Sequence, residues 1–105
     1  MSMVRQFAPL VGVLCLAFAS PALADPDVFP SSSRYALTAG DLSRLNCNGL
    51  WHARNEIYAR NGFRFQTARG QAEFGTNGWT SNPPLNPVEQ ANIALIQRSE
   101  ARLCP

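Results

Sequence analysis

Residues 47–65 constrain the fold of this chain most, because they combine a helical pattern with a sharp stop. Apolar residues recur there at helical spacing, and Asn61-Gly62 follows the last of them. A glycine at this point takes the left-handed conformation that ends many helices. The pattern therefore predicts a central helix that begins at Cys47 and stops at Asn61-Gly62, with Glu56 and Arg60 paired on its surface four residues apart.

Shorter capping signals predict further helices around the central one. Thr38 with Asp41 marks a short helix start, Thr67 caps a helix over residues 68–74, and Asn86-Pro87-Val88-Glu89 is a capping box that opens a final helix. Between the last two, glycines and prolines predict a long irregular loop ordered by burial of Trp79. The predicted fold class is mostly α, a small helical domain of three to four short helices.

The N-terminal residues predict an exported protein. Arg5 precedes an apolar stretch over residues 7–19, and Ala22-Leu23-Ala24 provides a small-residue cleavage site. We expect residues 1–24 to be a signal peptide removed before Asp25, leaving no membrane attachment. An uncleaved anchor would need roughly 20 apolar residues. A lipoprotein would begin at Cys15, which bulky Leu14 disfavours.

Cleavage would leave two cysteines, Cys47 and Cys104, in an oxidising compartment, which predicts one disulfide between them. This bridge would close the folded domain and stabilise it by about 4 kcal/mol in the chain-entropy model. Free thiols are the alternative, and metal ligation is disfavoured because structural zinc sites use four Cys or His ligands. Residues 25–33, rich in proline and serine, are predicted to be a flexible leader, with the domain over residues 34–104.

The charge of the mature part is nearly balanced, with eight arginines against seven acidic residues. Nucleic-acid-binding proteins show a basic patch and a high net charge. We therefore expect no nucleic-acid partner.

The central segment resembles the YARHG domain, a small bacterial domain presumed to be extracellular. The resemblance rests on a motif within residues 50–65, a Phe and a Trp downstream, and a closing helix; the motif residues are Trp51, Arg54, Asn55, Glu56, Tyr58, Arg60, Asn61, Gly62 and Phe65. It covers residues 34–104 and differs where the motif has histidine and this chain has Asn61. The resemblance implies export and a small helical domain, and it carries no assigned activity.

The residue types offer little catalytic chemistry, and we expect no enzyme activity, no cofactor and no metal. His52, the only histidine, is predicted to be a partly exposed surface residue. Glu56 and Glu73 would have to converge on one cleft to act as a carboxylate pair. Arg54 is predicted to be partly buried, bonding backbone carbonyls or Glu56 and fixing the central helix to the Trp79 loop.

Two functions are compatible with these features. The first is a binding module of the cell envelope, periplasmic or secreted, that recognises a cell-wall glycan or an envelope protein through arginines and aromatic rings. Arg64 and Phe63 form its candidate binding face. The second is an inhibitor or partner of an exported enzyme, and an envelope hydrolase is a weaker third alternative.

Overall fold

The computed structural model describes residues 26–105, so the predicted signal peptide and its cleavage site lie outside the described residues. This part of the chain contains four helices, and its only β-pairing is a single bridge between Phe63 and Thr80. The helices are α1 (Ala39–Leu42), α2 (Cys47–Arg60), α3 (Ala68–Phe74) and α4 (Pro87–Leu103). The predicted helical fold class is confirmed.

Each helix begins at a side chain that caps its first turn. Thr38 and Asp41 form a capping box at α1, and Asn86 and Glu89 form one at α4, where Pro87 takes the first helical position. Asn46 and Thr67 accept hydrogen bonds from backbone amides of α2 and α3. These oxygens satisfy amides that have no partner inside the helix, which explains why the local sequence predicted the starts well.

The core lies between α2 and α4. Leu50, Ala53 and Ile57 of α2 are fully buried, and Ile93 and Ile96 of α4 pack in the same cluster. Leu103, the last residue of α4, lies outside this cluster and is 59% exposed.

The predicted disulfide between Cys47 and Cys104 is present, with Cα atoms 5.7 Å apart. Cys47 is the first residue of α2 and Cys104 caps the end of α4. The bridge therefore fastens the two helices of the core to each other at one end, and it closes a loop across 57 positions of sequence.

The segment predicted to be a flexible leader is packed against the helices instead. Val28 and Phe29 are half-buried against the core, and Ser32 is fully buried. The hydroxyl of Ser32 donates to the carbonyl of Phe29, and the amides of Arg34 and Tyr35 donate to Ser31 in a turn. Composition alone could not predict that this segment is packed, because the residues that bind it lie far away in the sequence.

Glu56 supplies the first of these partners. Its carboxylate accepts hydrogen bonds from the backbone amides of Val28 and Phe29, both at 2.7 Å, and the residue is 1% exposed. The prediction of a surface pair with Arg60 was therefore wrong in its setting: the two side chains do meet, at 3.4 Å, but the carboxylate lies inside the protein.

Arg60 holds the same segment from its other side. Its guanidinium bonds the carboxylate of Asp27 at 3.1 Å, the hydroxyl of Ser33 at 2.6 Å, and the carbonyl of Phe29 and hydroxyl of Ser32 at 3.0 Å each. One arginine thus contacts four residues of the segment.

Two residues of α4 complete the arrangement. Asn92 donates to the carbonyls of Ser32 and Tyr35 and accepts from the amide of Leu37, while Glu89 accepts from Ser33 at 2.6 Å. Both side chains are nearly inaccessible to solvent. We call the four residues that hold the segment, together with Asn61, whose side chain donates to Glu89, the N-terminal clamp: Glu56, Arg60, Asn61, Glu89 and Asn92.

We expect Glu56→Gln to lower the free energy of unfolding by about 2 to 3 kcal/mol. The amide keeps one acceptor oxygen but places an NH2 group against a buried donor, so one backbone amide of the N-terminal segment loses its partner. Urea unfolding of the oxidised protein, followed by circular dichroism, measures the change.

Glu73→Gln is the matched control, because Glu73 also contacts His52 but bonds no backbone amide of the segment. Its expected cost is below about 1 kcal/mol, the range of a partly exposed pair. Equal losses in both variants would show that the clamp is not the source of the stability.

We expect the contribution of Glu89 to stability to be present at neutral pH and lost as the pH falls below about 4.5, its ordinary pKa. Burial opposes its ionisation, but hydrogen bonds from Ser33, Asn86 and Asn61 outweigh burial and lower the pKa of the carboxyl. In this window the folded state binds fewer protons than the unfolded state, so acid reduces the free energy of unfolding.

Urea unfolding between about pH 7 and pH 2 tests this, with Glu89→Gln as the variant that removes the dependence. Burial raises the pKa of Glu56, so Glu56 contributes with the opposite sign just above its ordinary value and does not account for the loss in acid. An acid dependence that is unchanged in Glu89→Gln would contradict the assignment.

Candidate functional site

The motif residues of α2 divide between the N-terminal clamp and the side of the helix that faces the following turn and loop. Glu56, Arg60 and Asn61 belong to the N-terminal clamp, whereas Arg54 and Tyr58 lie toward the turn and loop that follow the helix. These three of the nine motif residues therefore serve the fold, and a binding site has to be formed from others.

Asn61 is the C-cap of α2, with φ −103°, and the left-handed position falls on Gly62 at φ +88°. The side chain of Asn61 donates to the carbonyl of Ile57 at 2.8 Å and to Glu89 at 2.9 Å. The residue that stands where the motif has histidine thus joins the end of α2 to α4.

His52 is buried, in contrast to the predicted surface position, with 9% of its area exposed. Its Nδ1 lies 3.0 Å from Glu56 and its Nε2 lies 3.2 Å from Glu73, and the ring of Phe74 covers it at a centroid distance of 4.9 Å. Both candidate acids do converge on this histidine, but the ring lines none of the three clefts described below.

Trp51 is covered by a side chain of α3. The guanidinium of Arg69 lies 3.7 Å from the centre of the indole and also bonds the side chain of Asn48, while Phe74 packs at 5.8 Å. Stacking of this kind joins α3 to α2. Trp51 and Arg69 also border a cleft of about 390 Å³ beside the disulfide.

Arg54 bonds a residue of α4 rather than the predicted partners on α2 or the Trp79 loop. Its Nε and Nη2 donate to the two carboxylate oxygens of Glu100 at 2.7 and 3.1 Å, and these hydrogen bonds to Glu100 raise the pKa of Arg54. The prediction that Arg54 is partly buried was right, but its charge is matched by a carboxylate of the fold.

The aromatic turn after α2 is packed ring against ring. Phe65 is buried, stacks on Phe74 at 4.9 Å and meets Phe63 edge-on at 4.8 Å. Phe63 in turn packs against Tyr58 at 5.8 Å. Gly70 permits this packing, because a Cβ there would lie 2.6 Å from Phe65.

Trp79, predicted to be part of the core, is 66% exposed. Its indole lies directly on Gly62, where an added Cβ would come within 2.3 Å of the ring. The amides of Trp79 and Thr80 both donate to the carbonyl of Gly62, and the amide of Arg64 donates to Thr80. One face of the ring thus lies against Gly62 and the other faces solvent. Gly62 and Gly78, on the two segments that meet here, were the sequence signal for this contact.

Two clefts meet at Phe63. The α2 cleft, of about 420 Å³, lies between one wall formed by Arg54, Asn55, Tyr58 and Phe63 and another formed by the loop over residues 81–85. The Trp79 cleft, of about 260 Å³, lies on the other side of Phe63 and is bordered by Trp79 and Phe74.

Of the candidate binding face, Phe63 is half-buried and lines both clefts, whereas Arg64 is exposed and donates to the carbonyl of Trp79. Sequence reasoning missed the loop residues that form the second wall of the α2 cleft. Ser81, Asn82, Pro83 and Leu85 carry no pattern of their own, and only the turn in which Asn82 donates to Thr80 brings them together.

No group of three or more His, Cys, Asp or Glu side chains in residues 26–105 is arranged to hold a metal ion. Among the helices described, none is long and apolar enough to cross a bilayer.

Comparison with known protein families identifies the domain. The family model of the YARHG domain matches residues 27–101, which includes the N-terminal segment held by the clamp. Neither a curated protein nor a solved structure matches this chain. The family match spans most of the sequence, and the chain belongs to the YARHG domain family.

Proposed function

We propose that this protein is a non-enzymatic binding module of the bacterial cell envelope and that the surface around Trp79 contacts a cell-wall glycan. The observation that carries the proposal is the fixed and exposed indole of Trp79. The family is a small domain presumed to be extracellular, and a disulfide suits an exported protein.

A large aromatic ring left in water has an energetic cost that the fold does not recover. Trp79 could have been buried, as Phe65 is, but its backbone is bonded to Gly62 in a position that keeps one face outward. A rigid aromatic face binds with little loss of side-chain entropy, and Trp is enriched among residues that dominate binding energy. The two adjacent clefts provide concave surface beside it.

The absence of enzyme activity is part of the proposal, and the state of His52 supports it. A general base must reach the substrate, whereas this ring is covered by Phe74 and faces carboxylates on both sides. Turnover of an envelope substrate that is abolished by His52→Ala, in a variant shown to fold, would contradict this part.

An inhibitor or partner of an exported enzyme is the second candidate function. Trp79 favours it too, because an exposed, rigid aromatic ring on a loop also suits a protein interface.

We expect the mature protein to co-sediment with purified sacculi and Trp79→Ala to weaken this binding at least about tenfold, as loss of a dominant aromatic contact does. The variant should keep its fold because most of the side chain lies in solvent. Depletion of protein from the supernatant across a range of sacculus concentrations gives the affinity.

Tyr35→Ala is the matched control, since Tyr35 is 65% exposed and lines none of the described clefts. Its binding should equal that of the wild type. A wild-type protein that stays in the supernatant would overturn the glycan proposal, and specific inhibition of an exported enzyme would then favour the second candidate.

Export and cleavage before Asp25 are likewise proposed, on the sequence pattern of residues 1–24 and the disulfide. We expect the intact mass of the exported protein to correspond to residues 25–105 and to rise by two hydrogens on reduction. Retained N-terminal residues would contradict cleavage, and an unchanged mass on reduction would contradict the bridge.

A further inference from the structure

We infer that the α2 cleft is a subsite for an uncharged sugar that carries an amide, such as an N-acetylated amino sugar. The inference rests on the proposed function and specifies the ligand. It starts from the charge, the hydrogen-bonding groups and the apolar walls of the cleft.

The charge of the cleft is already balanced by the protein. Arg54 is the one fully ionised side chain on its walls, and both of its bonds to Glu100 are made within the fold. An anionic ligand would have to compete with Glu100 for this guanidinium. A neutral ligand does not, and it can still accept from guanidinium hydrogens that Glu100 leaves unused.

Asn55 provides a buried acceptor at the cleft. Its Nδ2 donates to the carbonyl of Trp51 at 2.9 Å, and the residue is 8% exposed. Within residues 26–105 no group donates a hydrogen bond to its Oδ1. A buried amide oxygen without a partner has a free-energy cost, which a ligand that donates an N–H or O–H would remove.

Apolar surface and small polar groups complete the cleft. Tyr58 and Phe63 present aromatic surface on one wall, and Ser81, Asn82 and Leu85 present a hydroxyl, an amide and an apolar side chain on the other. Sugars have apolar C–H faces, which pack on the electron-rich faces of aromatic rings, and hydroxyl edges, which bond amides. An acetamido group adds a methyl for the apolar wall and an N–H for Asn55.

A peptide is the competing occupant of similar polarity. One common way to bind an extended peptide is through the exposed backbone of a sheet edge. The helical wall of the α2 cleft offers side chains only, because its backbone groups are bonded within α2. The size of the cleft, about 420 Å³, lies in the range of pockets that hold small ligands.

The test uses two trisaccharides with the same β-1,4 backbone, tri-N-acetylchitotriose and cellotriose, which differ in the acetamido group. Each is titrated into the isotope-labelled, oxidised mature protein and followed by backbone and side-chain amide NMR shifts. We expect chitotriose to shift the amides of Asn55 and Asn82 and to bind at least about tenfold more tightly than cellotriose, as one buried hydrogen bond allows.

Asn55→Ala should weaken chitotriose binding about tenfold, but it also removes the bond to Trp51. Asn82→Ala is therefore made in parallel, because Asn82 is exposed and its loss does not endanger the fold. Asn48→Ala is the control, an exposed asparagine outside the α2 cleft, and it should bind like the wild type.

Equal affinity for both sugars, or shifts confined to other surfaces, would overturn the inference. Shifts at the cleft produced by a cell-wall stem peptide but by neither sugar would overturn it in favour of a peptide. Sacculus binding that depends on Trp79 while chitotriose leaves the cleft unchanged would preserve the proposed function and remove only this subsite. Chitotriose binding in the cleft without sacculus binding would support the subsite and contradict the proposed function.

Discussion

The buried carboxylate of Glu56 is the interaction on which the rest of the structure depends. Residues 26–37 form no helix or strand, so their backbone amides must find partners elsewhere. Glu56 receives two of them, and Arg60 and His52 bond the same carboxylate and hold its charge inside the protein. A buried charge with fewer partners would be strongly destabilising. Removal of any one partner therefore affects the whole group.

Two arginines of the motif, and Arg69 of α3, make their contacts within the fold. Arg60 is engaged with the N-terminal segment, Arg54 with Glu100, and Arg69 with the ring of Trp51. The sequence around the motif is rich in arginine, but these three guanidiniums each join one part of the folded domain to another. The surface available to a ligand is aromatic and amide-bearing instead, which is why Trp79 and the α2 cleft carry the functional proposal.

The sequence predicted the features that depend on neighbouring residues. Helix starts at Thr38 and Asn86 are set by side chains three positions from the amides they bond, and Gly62 ends α2 through its own backbone. The features it missed join distant positions: Glu56 reaches back 28 residues to Val28. Such pairings leave no local pattern, so the N-terminal segment read as flexible. The prediction that Trp79 is buried was wrong because it assumed that a loop aromatic packs in the core. The ring packs on Gly62 instead, a contact between residues 17 positions apart.

The two walls of the α2 cleft differ in how firmly they are held. The helical wall is secured by the disulfide, the apolar core and the clamp. Trp79 and Thr80 are bonded through their backbones to the turn after α2, whereas residues 81–85, which form the second wall, make only the bonds of Asn82 to Thr80 and of Gln90 to Leu85 within the described part of the chain. Segments with few buried contacts open at lower free energy than the global fold. Residues 81–85 can therefore open locally without disturbing Trp79 or the helices that hold the other wall, which would admit the proposed ligand to the cleft.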